Sequence, residues 1–407
     1  MSWISDPSTR RPLNWYTFTR ECLPPLLLCY VTALLVITPR TFLLRLALLP
    51  ITLYTAFHCA TEVNLSKGYP DEERLVYVNQ VLVALMVTLG ARALIWTFQL
   101  EPYQRLHHYQ SNNPFVDALD LLFNLRGVGW SWSSGLKVPL ETRNTSSKSA
   151  FILDTFRSFL LSYISIDFLL LAIQSFSLPL STVPNPKNIS NTFASPVGGS
   201  IFDPSLPLHT RYLRSSLISC LFALFVYHVI HISYLLSSLP ALILLSHAPS
   251  QWPPLFHSPW SSTSLTELWA FRWHQLFRQL FIATGGAPLF ALFGRAPAVL
   301  GVFFSSGLLH AFALWGMGRG TDFSRVCGFF IMMGVGILAE HAYRALTGRR
   351  VGGVSGWIWV ALWLLLWGNR VVDAYLTRGL IGSTYFPHLL RPSTLGLGLA
   401  KTWMEIP

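Results

Sequence analysis

The run Val302–Phe303–Phe304–Ser305–Ser306–Gly307–Leu308–Leu309–His310–Ala311 decides how this chain folds. It lies inside Ala298–Met317, a stretch without Asp, Glu, Lys or Arg. As an α-helix that stretch would measure about 30 Å, the thickness of a bilayer's hydrocarbon core. In lipid every backbone N–H and C=O must be paired within its own segment, so such a stretch crosses as a helix. Carried outward, the same ruler finds seven more candidate spans, approximately Leu23–Thr38, Phe42–Ala60, Leu75–Phe98, Phe151–Phe176, Ser215–Leu245, Val326–Tyr343 and Val354–Tyr375. Pro24, Pro25 and Pro39 are expected at the ends of the first.

Composition agrees with this reading. Of 407 residues 52% are hydrophobic and 12% charged, against about 25% charged in soluble proteins, which excludes a disordered, fibrous or ordinary soluble chain. The apolar excess runs from end to end, so the expectation is one membrane-embedded domain over residues 1–407, all-α and polytopic, with about eight transmembrane helices plus interfacial amphipathic helices. Lys+Arg 29 against Asp+Glu 18 gives +11. The basic residues stand singly between apolar runs and never cluster as a phosphate backbone requires; they read as membrane-flanking charges, with no nucleic-acid partner. Cys22, Cys29, Cys59, Cys220 and Cys327 are scattered and odd in number, and no CxxC occurs, so neither a disulfide framework nor a metal site is expected. The N-terminus lacks a signal-peptide cleavage pattern, and the first apolar segment is expected to persist in the mature protein.

Three polar stretches separate the spans: Gln99–Ala150, Ser177–Arg214 and Ser246–Pro297. The middle one, rich in Ser, Pro and Asn, reads as solvated and partly disordered. The others carry Trp130, Trp132, Trp260, Trp269 and Trp273, expected as an interfacial belt against the membrane. Short loops bearing Arg40/Arg45 and Arg344/Arg349/Arg350 fall on one side, and the net acidic loop 61–74 on the other. Basic loops mark the cytosolic side, which places the sequons at Asn64 and Asn188 in the lumen and the one at Asn144 outside it.

An ionisable side chain inside a span is a functional hypothesis by default. His310 has Ser306 one turn earlier on the same face, and Gly307 permits close approach of another helix. A neutral imidazole there can accept a proton near pH 7; position alone favours a structural histidine bonded to a neighbouring helix. The second constellation is Glu267–Leu268–Trp269–Ala270–Phe271–Arg272–Trp273–His274–Gln275–Leu276–Phe277–Arg278. Helical spacing puts Trp269, Trp273, Leu276 and Leu280 on one face, which predicts an amphipathic interfacial helix with His274 and Gln275 at its edge. In the third, Asn124–Leu125–Arg126–Gly127–Val128–Gly129–Trp130–Ser131–Trp132, glycines, a guanidinium and indoles can cradle a phosphate or adenine, or form an interfacial turn with a snorkelling Arg. Asp154 with Arg157, the lone Asp167, Glu340–His341 and Asp373 three residues after Arg370 read as structural pairing, and His107–His108 as a solvated loop pair.

Together these three motifs, in this order across about residues 120–320, resemble the wax-synthase-like branch of the membrane-bound O-acyltransferases, in particular fungal members that acetylate terpenoid and meroterpenoid hydroxyl groups in secondary metabolism. The resemblance implies a buried catalytic tunnel, a catalytic histidine at His310, and a multi-pass protein of the endoplasmic reticulum. It further implies an acetyl-CoA or other acyl-CoA co-substrate with no permanently bound cofactor, and a hydrophobic small-molecule alcohol as acceptor at the bilayer. Where the wider superfamily places Asn after Trp, this chain has His274 after Trp273, which leaves position 274 to orient the donor, line the tunnel or assist proton transfer. Acyl transfer from a thioester to an alcohol needs a base for the hydroxyl proton and donors for the developing oxyanion. His310 is the candidate base, His274 or Gln275 candidate oxyanion or donor contacts, and Arg126 and Arg272, with Trp130 and Trp273, candidate coenzyme A contacts. The alternatives are a long-chain wax- or sterol-ester synthase and, outside enzymes, a transporter, although no internal repeat is visible. His228 and His231 form one i, i+3 pair without the further His clusters that a di-iron oxygenase needs.

Overall fold

The computed structural model describes residues 6–106, 113–133, 135–177, 193–244 and 247–395; His107–His108 and Asn188 lie outside them. Among the described residues seven helices are long and apolar enough to cross a membrane: α1 (Trp15–Val36), α2 (Phe42–Glu62), α3 (Tyr77–Thr97), α4 (Lys148–Gln174), α5 (Leu208–Ile243), α6 (Arg295–Gly316) and α7 (Phe323–Thr347). The eighth expected span is also one helix, α8 (Gly353–Leu376), less apolar because Asn369, Arg370 and Asp373 crowd its last turns. The architecture is that of an all-α, multi-pass membrane protein.

The first span differs from expectation in one respect. Pro24 and Pro25 lie inside α1, not at its end. The chain is π-helical over Phe18–Cys22 and takes α-geometry at Leu23, so the prolines occupy the first α turn, where their missing N–H groups and fixed φ are tolerated.

Two compact units are present: Met1–Glu72, Val76–Val138 and Phe256–Ala361 form the first, and Glu73–Leu75, Pro139–Leu255 and Leu362–Pro407 the second. In the first, α6 packs on α3 and α7, and α2 on α1 and α3, around a core including Cys29, Ala33, Met86, Leu89, Trp96, Leu121 and Trp130. Gly307 sets the α6–α7 approach, since a Cβ there would stand 2.9 Å from Cys327 Cα. In the second unit α4 packs on α5, and Ser162 Oγ meets His231 Nδ1 at 3.1 Å.

Arg10 and Arg45, read as membrane-flanking, and Arg92, inside the third expected span, are buried donors to carbonyls at or just beyond helix C-termini. Arg10 donates to Gly316 O at 3.0 Å and lies over the Trp315 ring. Arg45 donates to Gln99 O at 2.8 Å, and Arg92 to Leu122 O at 3.1 Å.

Among the acids, Asp154 pairs with Arg157 at 3.0 Å as expected. Asp167 pairs with Arg391 and accepts Ser393 N–H at 2.8 Å. Asp373 does not pair with Arg370; it accepts Ser200 Oγ–H at 2.7 Å and Ile201 N–H at 2.9 Å. Those bonds fold residues 193–207, expected to be solvated, around the fully buried Phe193 and Ile201.

Candidate functional site

The expected amphipathic helix over Glu267–Arg278 does not form. The chain is α-helical at Leu265–Glu267, π-helical at Leu268–Arg272 and extended at Trp273 (φ −83°, ψ 154°), and becomes helical again at Arg278. Polar anchors that periodicity does not register override the apolar pattern. Glu340, from α7, accepts Leu265 N–H at 2.5 Å, Thr266 N–H at 3.0 Å and Thr266 Oγ1–H at 2.7 Å, a carboxylate set on a helix N-terminus. At the other end Gln275 Nε2 donates to Trp269 O at 3.0 Å and Trp273 O at 2.9 Å, taking carbonyls that a longer helix would have used.

Gln275 is therefore buried and engaged, not at an interfacial edge. Arg272 is likewise committed, to Glu267 at 2.7 Å, Ser261 Oγ at 2.7 Å and His257 O at 3.1 Å. Trp273 packs edge-on against Phe256 at 5.0 Å.

His310 sits on α6 with Nδ1 2.7 Å from the Ser306 carbonyl oxygen. A carbonyl oxygen only accepts, so Nδ1 carries the hydrogen and Nε2 holds the lone pair in the neutral ring. This bond fixes the tautomer a general base needs. The ring lies 4.4 Å from Phe330, and Trp269 packs on Phe330 (6.5 Å) and Phe303 (5.8 Å), so the π-helical turn and α6 converge on one aromatic wall.

His274 stands 5.6 Å from Trp273 and 5.9 Å from Phe256, ring to ring. Burial, then the proximity of His310 and Arg126, pushes its pKa down to about 3, so the ring is neutral near pH 7. Both imidazoles are half-buried.

Among the buried side-chain nitrogens without a hydrogen-bond partner among the described residues, two belong to this segment, His274 Nδ1 and Trp269 Nε1; the indole nitrogens of Trp132, Trp252 and Trp367 share that state elsewhere. Native interiors seldom leave such atoms unpaired, so each is a hydrogen-bonding position still available at this site. Trp269 was legible only as one indole among many; its orphaned N–H is a tertiary property.

Arg126 is buried and close enough to His274 to influence its charge. The loop around it is built by Asn124, whose Oδ1 accepts Gly127 N–H at 2.8 Å, and by a left-handed Gly127 (φ +72°) whose Cβ position is filled by the Trp132 ring at 2.5 Å. Trp130 is not in an interfacial belt. It is buried in the core, with Nε1 donating to Asp120 at 2.7 Å, and Asp120 also pairs with Arg105 at 2.7 Å.

Residues 252–332 match the sequence model of the Membrane bound O-acyl transferase family, a segment holding Trp269, Trp273, His274 and His310 but not the Arg126 loop. Acetyltransferase aurG of Calcarisporium arbuscula is 32% identical over 182 residues, covering 40% of this chain and 42% of that protein. Acetyltransferase spyB of Aspergillus fumigatus is 30% identical over 171 residues, 35% of this chain and 29% of that one. A probable long-chain-alcohol O-fatty-acyltransferase 7 of Arabidopsis thaliana is 26% identical over 226 residues, 52% and 62% respectively. The chain thus spans less than two thirds of these relatives' lengths. The resemblance to membrane-bound O-acyltransferases, in their fungal acetyltransferase branch, is borne out.

Proposed function

We propose that this chain, a relative of the membrane bound O-acyl transferases, transfers an acetyl group from acetyl-CoA to a hydroxyl of a hydrophobic terpenoid or meroterpenoid, acting as a single domain in the endoplasmic reticulum membrane. One observation carries the reading: His310 in an apolar span, its tautomer fixed by the Ser306 carbonyl so that the Nε2 lone pair serves as base.

Nε2 takes the proton of the acceptor hydroxyl as its oxygen attacks the thioester carbonyl. The tetrahedral oxyanion is met by the orphaned donors, Trp269 Nε1 and neutral His274 Nδ1, then collapses with cleavage of the C–S bond. The leaving thiolate takes the proton back from His310, and ester and thiol leave the neutral enzyme. A His274 held neutral is suited to donate a hydrogen bond and unsuited to compete as base. The apolar surroundings keep water from the thioester.

The similarity to a plant long-chain-alcohol O-fatty-acyltransferase favours, as second reading, transfer of long acyl chains. Microsomes offered acetyl-CoA or palmitoyl-CoA with one hydroxylated terpenoid separate the two. Faster acetyl ester formation, abolished in His310→Ala, is expected; acceptor uptake without ester sinks both in favour of a transporter.

A further inference from the structure

A cavity of about 770 Å³ lies beside the Leu265–Arg278 segment, within the size range of small-ligand sites. Four cations line it: Lys137, Arg278, Arg344 near the end of α7, and Arg350 in the following turn. None of the four makes a side-chain hydrogen bond or ion pair among the described residues. The two carboxylates of the same lining are occupied elsewhere. Glu267 pairs with Arg272 at 2.7 Å, and Glu340 holds Leu265, Thr266 and, at 3.0 Å, Trp359 Nε1.

Four cations against one lining carboxylate not paired to a cation, Glu340, leave the concavity with a positive excess, and the arrangement suits an anion carrying several charges. Guanidinium forks match phosphate oxygens two at a time, and an ammonium adds a mobile point charge. The same segment that lines the cavity through Ala270 and Phe271 packs through Trp269 on Phe330, the ring against His310. One short element therefore joins the cationic cavity to the candidate base.

We propose that Lys137, Arg278, Arg344 and Arg350 seat the clustered phosphates of the acyl donor, a role sequence had offered to Arg126 and Arg272. The inference rests on the acyl-transfer reading for its ligand. A multiply charged lipid headgroup presents the same chemistry, and the test separates the two sources.

The probe is adenosine 3′,5′-bisphosphate, which carries nucleotide phosphates but no thioester, titrated into the full-length protein in neutral-lipid nanodiscs. Saturable binding is expected, weakened about tenfold or more in Arg344→Gln/Arg350→Gln and, separately, in Lys137→Gln, and unchanged in His310→Ala. All three substituted groups except His310 are surface-exposed and not part of the core, so the fold should survive. In turnover, the double variant raises KM for acetyl-CoA about tenfold with kcat retained, and leaves KM for the phosphate-free thioester acetyl-S-N-acetylcysteamine unchanged. No bisphosphate binding while His310-dependent acyl transfer persists overturns the seat and leaves the activity standing. Bisphosphate binding that depends on these cations without any acyl transfer keeps a phosphate site and removes the acyl-donor reading. Cation-dependent binding only to vesicles containing 5% phosphatidylinositol 4-phosphate in phosphatidylcholine, and none to the bisphosphate, overturns the proposal in favour of a lipid headgroup.

Discussion

At the scale of single residues, the proposed chemistry assigns two histidines different parts, and each part can be tested. His310→Ala removes an imidazole whose Nδ1–H is held by a helix carbonyl, and kcat should fall by about a hundredfold or more with protein level unchanged; retention of activity in purified protein would end its proposed role as base. His274 makes a different prediction. Its folded pKa of about 3 lies below the ordinary value of 6.5, so between those limits the unfolded chain binds a proton that the folded chain refuses. Stability from this group is complete above about pH 6.5 and is lost as pH falls toward 3. His274→Gln should therefore flatten the acid side of the thermal-stability profile in detergent, and an unaltered slope there would contradict the burial assigned to the ring. Asn64 combines a local pattern with tertiary bonds. Its sequon is plain in the sequence, yet Oδ1 accepts from Ser66 N at 2.9 Å and Asn79 Nδ2 at 2.8 Å while Nδ2 donates to Glu72 at 3.3 Å, so the atom that would carry a glycan is held inside a turn.

At the scale of elements, the site depends on polar anchors at helix ends. Glu340 holds three donors of the Leu265–Thr266 start, and Glu340→Ala leaves buried N–H groups without an acceptor. A loss of about 2–3 kcal/mol is expected from chemical denaturation, with kcat falling because Trp269 and His274 lose their register; Glu340→Gln, which keeps the size and one acceptor, should recover part of both. Arg10 acts similarly at the far end of α6, where it takes the Gly316 carbonyl. Arg10→Gln removes a buried, charged donor from the C-terminus of the helix that carries His310, and a lowered thermal midpoint with His310 chemistry otherwise intact is the expected result. The broken helix at Trp273 has the same logic: apolar spacing suggested a continuous face, and Glu340 and Gln275 decided otherwise.

At the scale of the whole molecule, seven apolar helices among the described residues commit the chain to the bilayer, and the orientation proposed from the short-loop charges is open to test. Single cysteines placed in 344–353 should react with impermeant maleimide from the cytosolic side of sealed microsomes and those in 61–74 should not; the opposite pattern would remove cytosolic acyl-CoA from the reach of Arg344 and Arg350. Seven of the eight expected spans were legible as spans because hydrocarbon imposes a length and a polarity that no tertiary contact can waive, and their ends lie within a few residues of expectation except at the starts of α1 and α5, which begin eight and seven residues earlier; the eighth is a helix, α8. His310 was legible for the same reason, as an imidazole that lipid would not tolerate idly. The break at Trp273, the use of Arg10, Arg45 and Arg92 as internal caps, the burial of Trp130 and the gathering of Lys137 with Arg278, Arg344 and Arg350 were not. Each depends on which distant groups meet, and a sequence displays the charge of a side chain but not the partner that satisfies it.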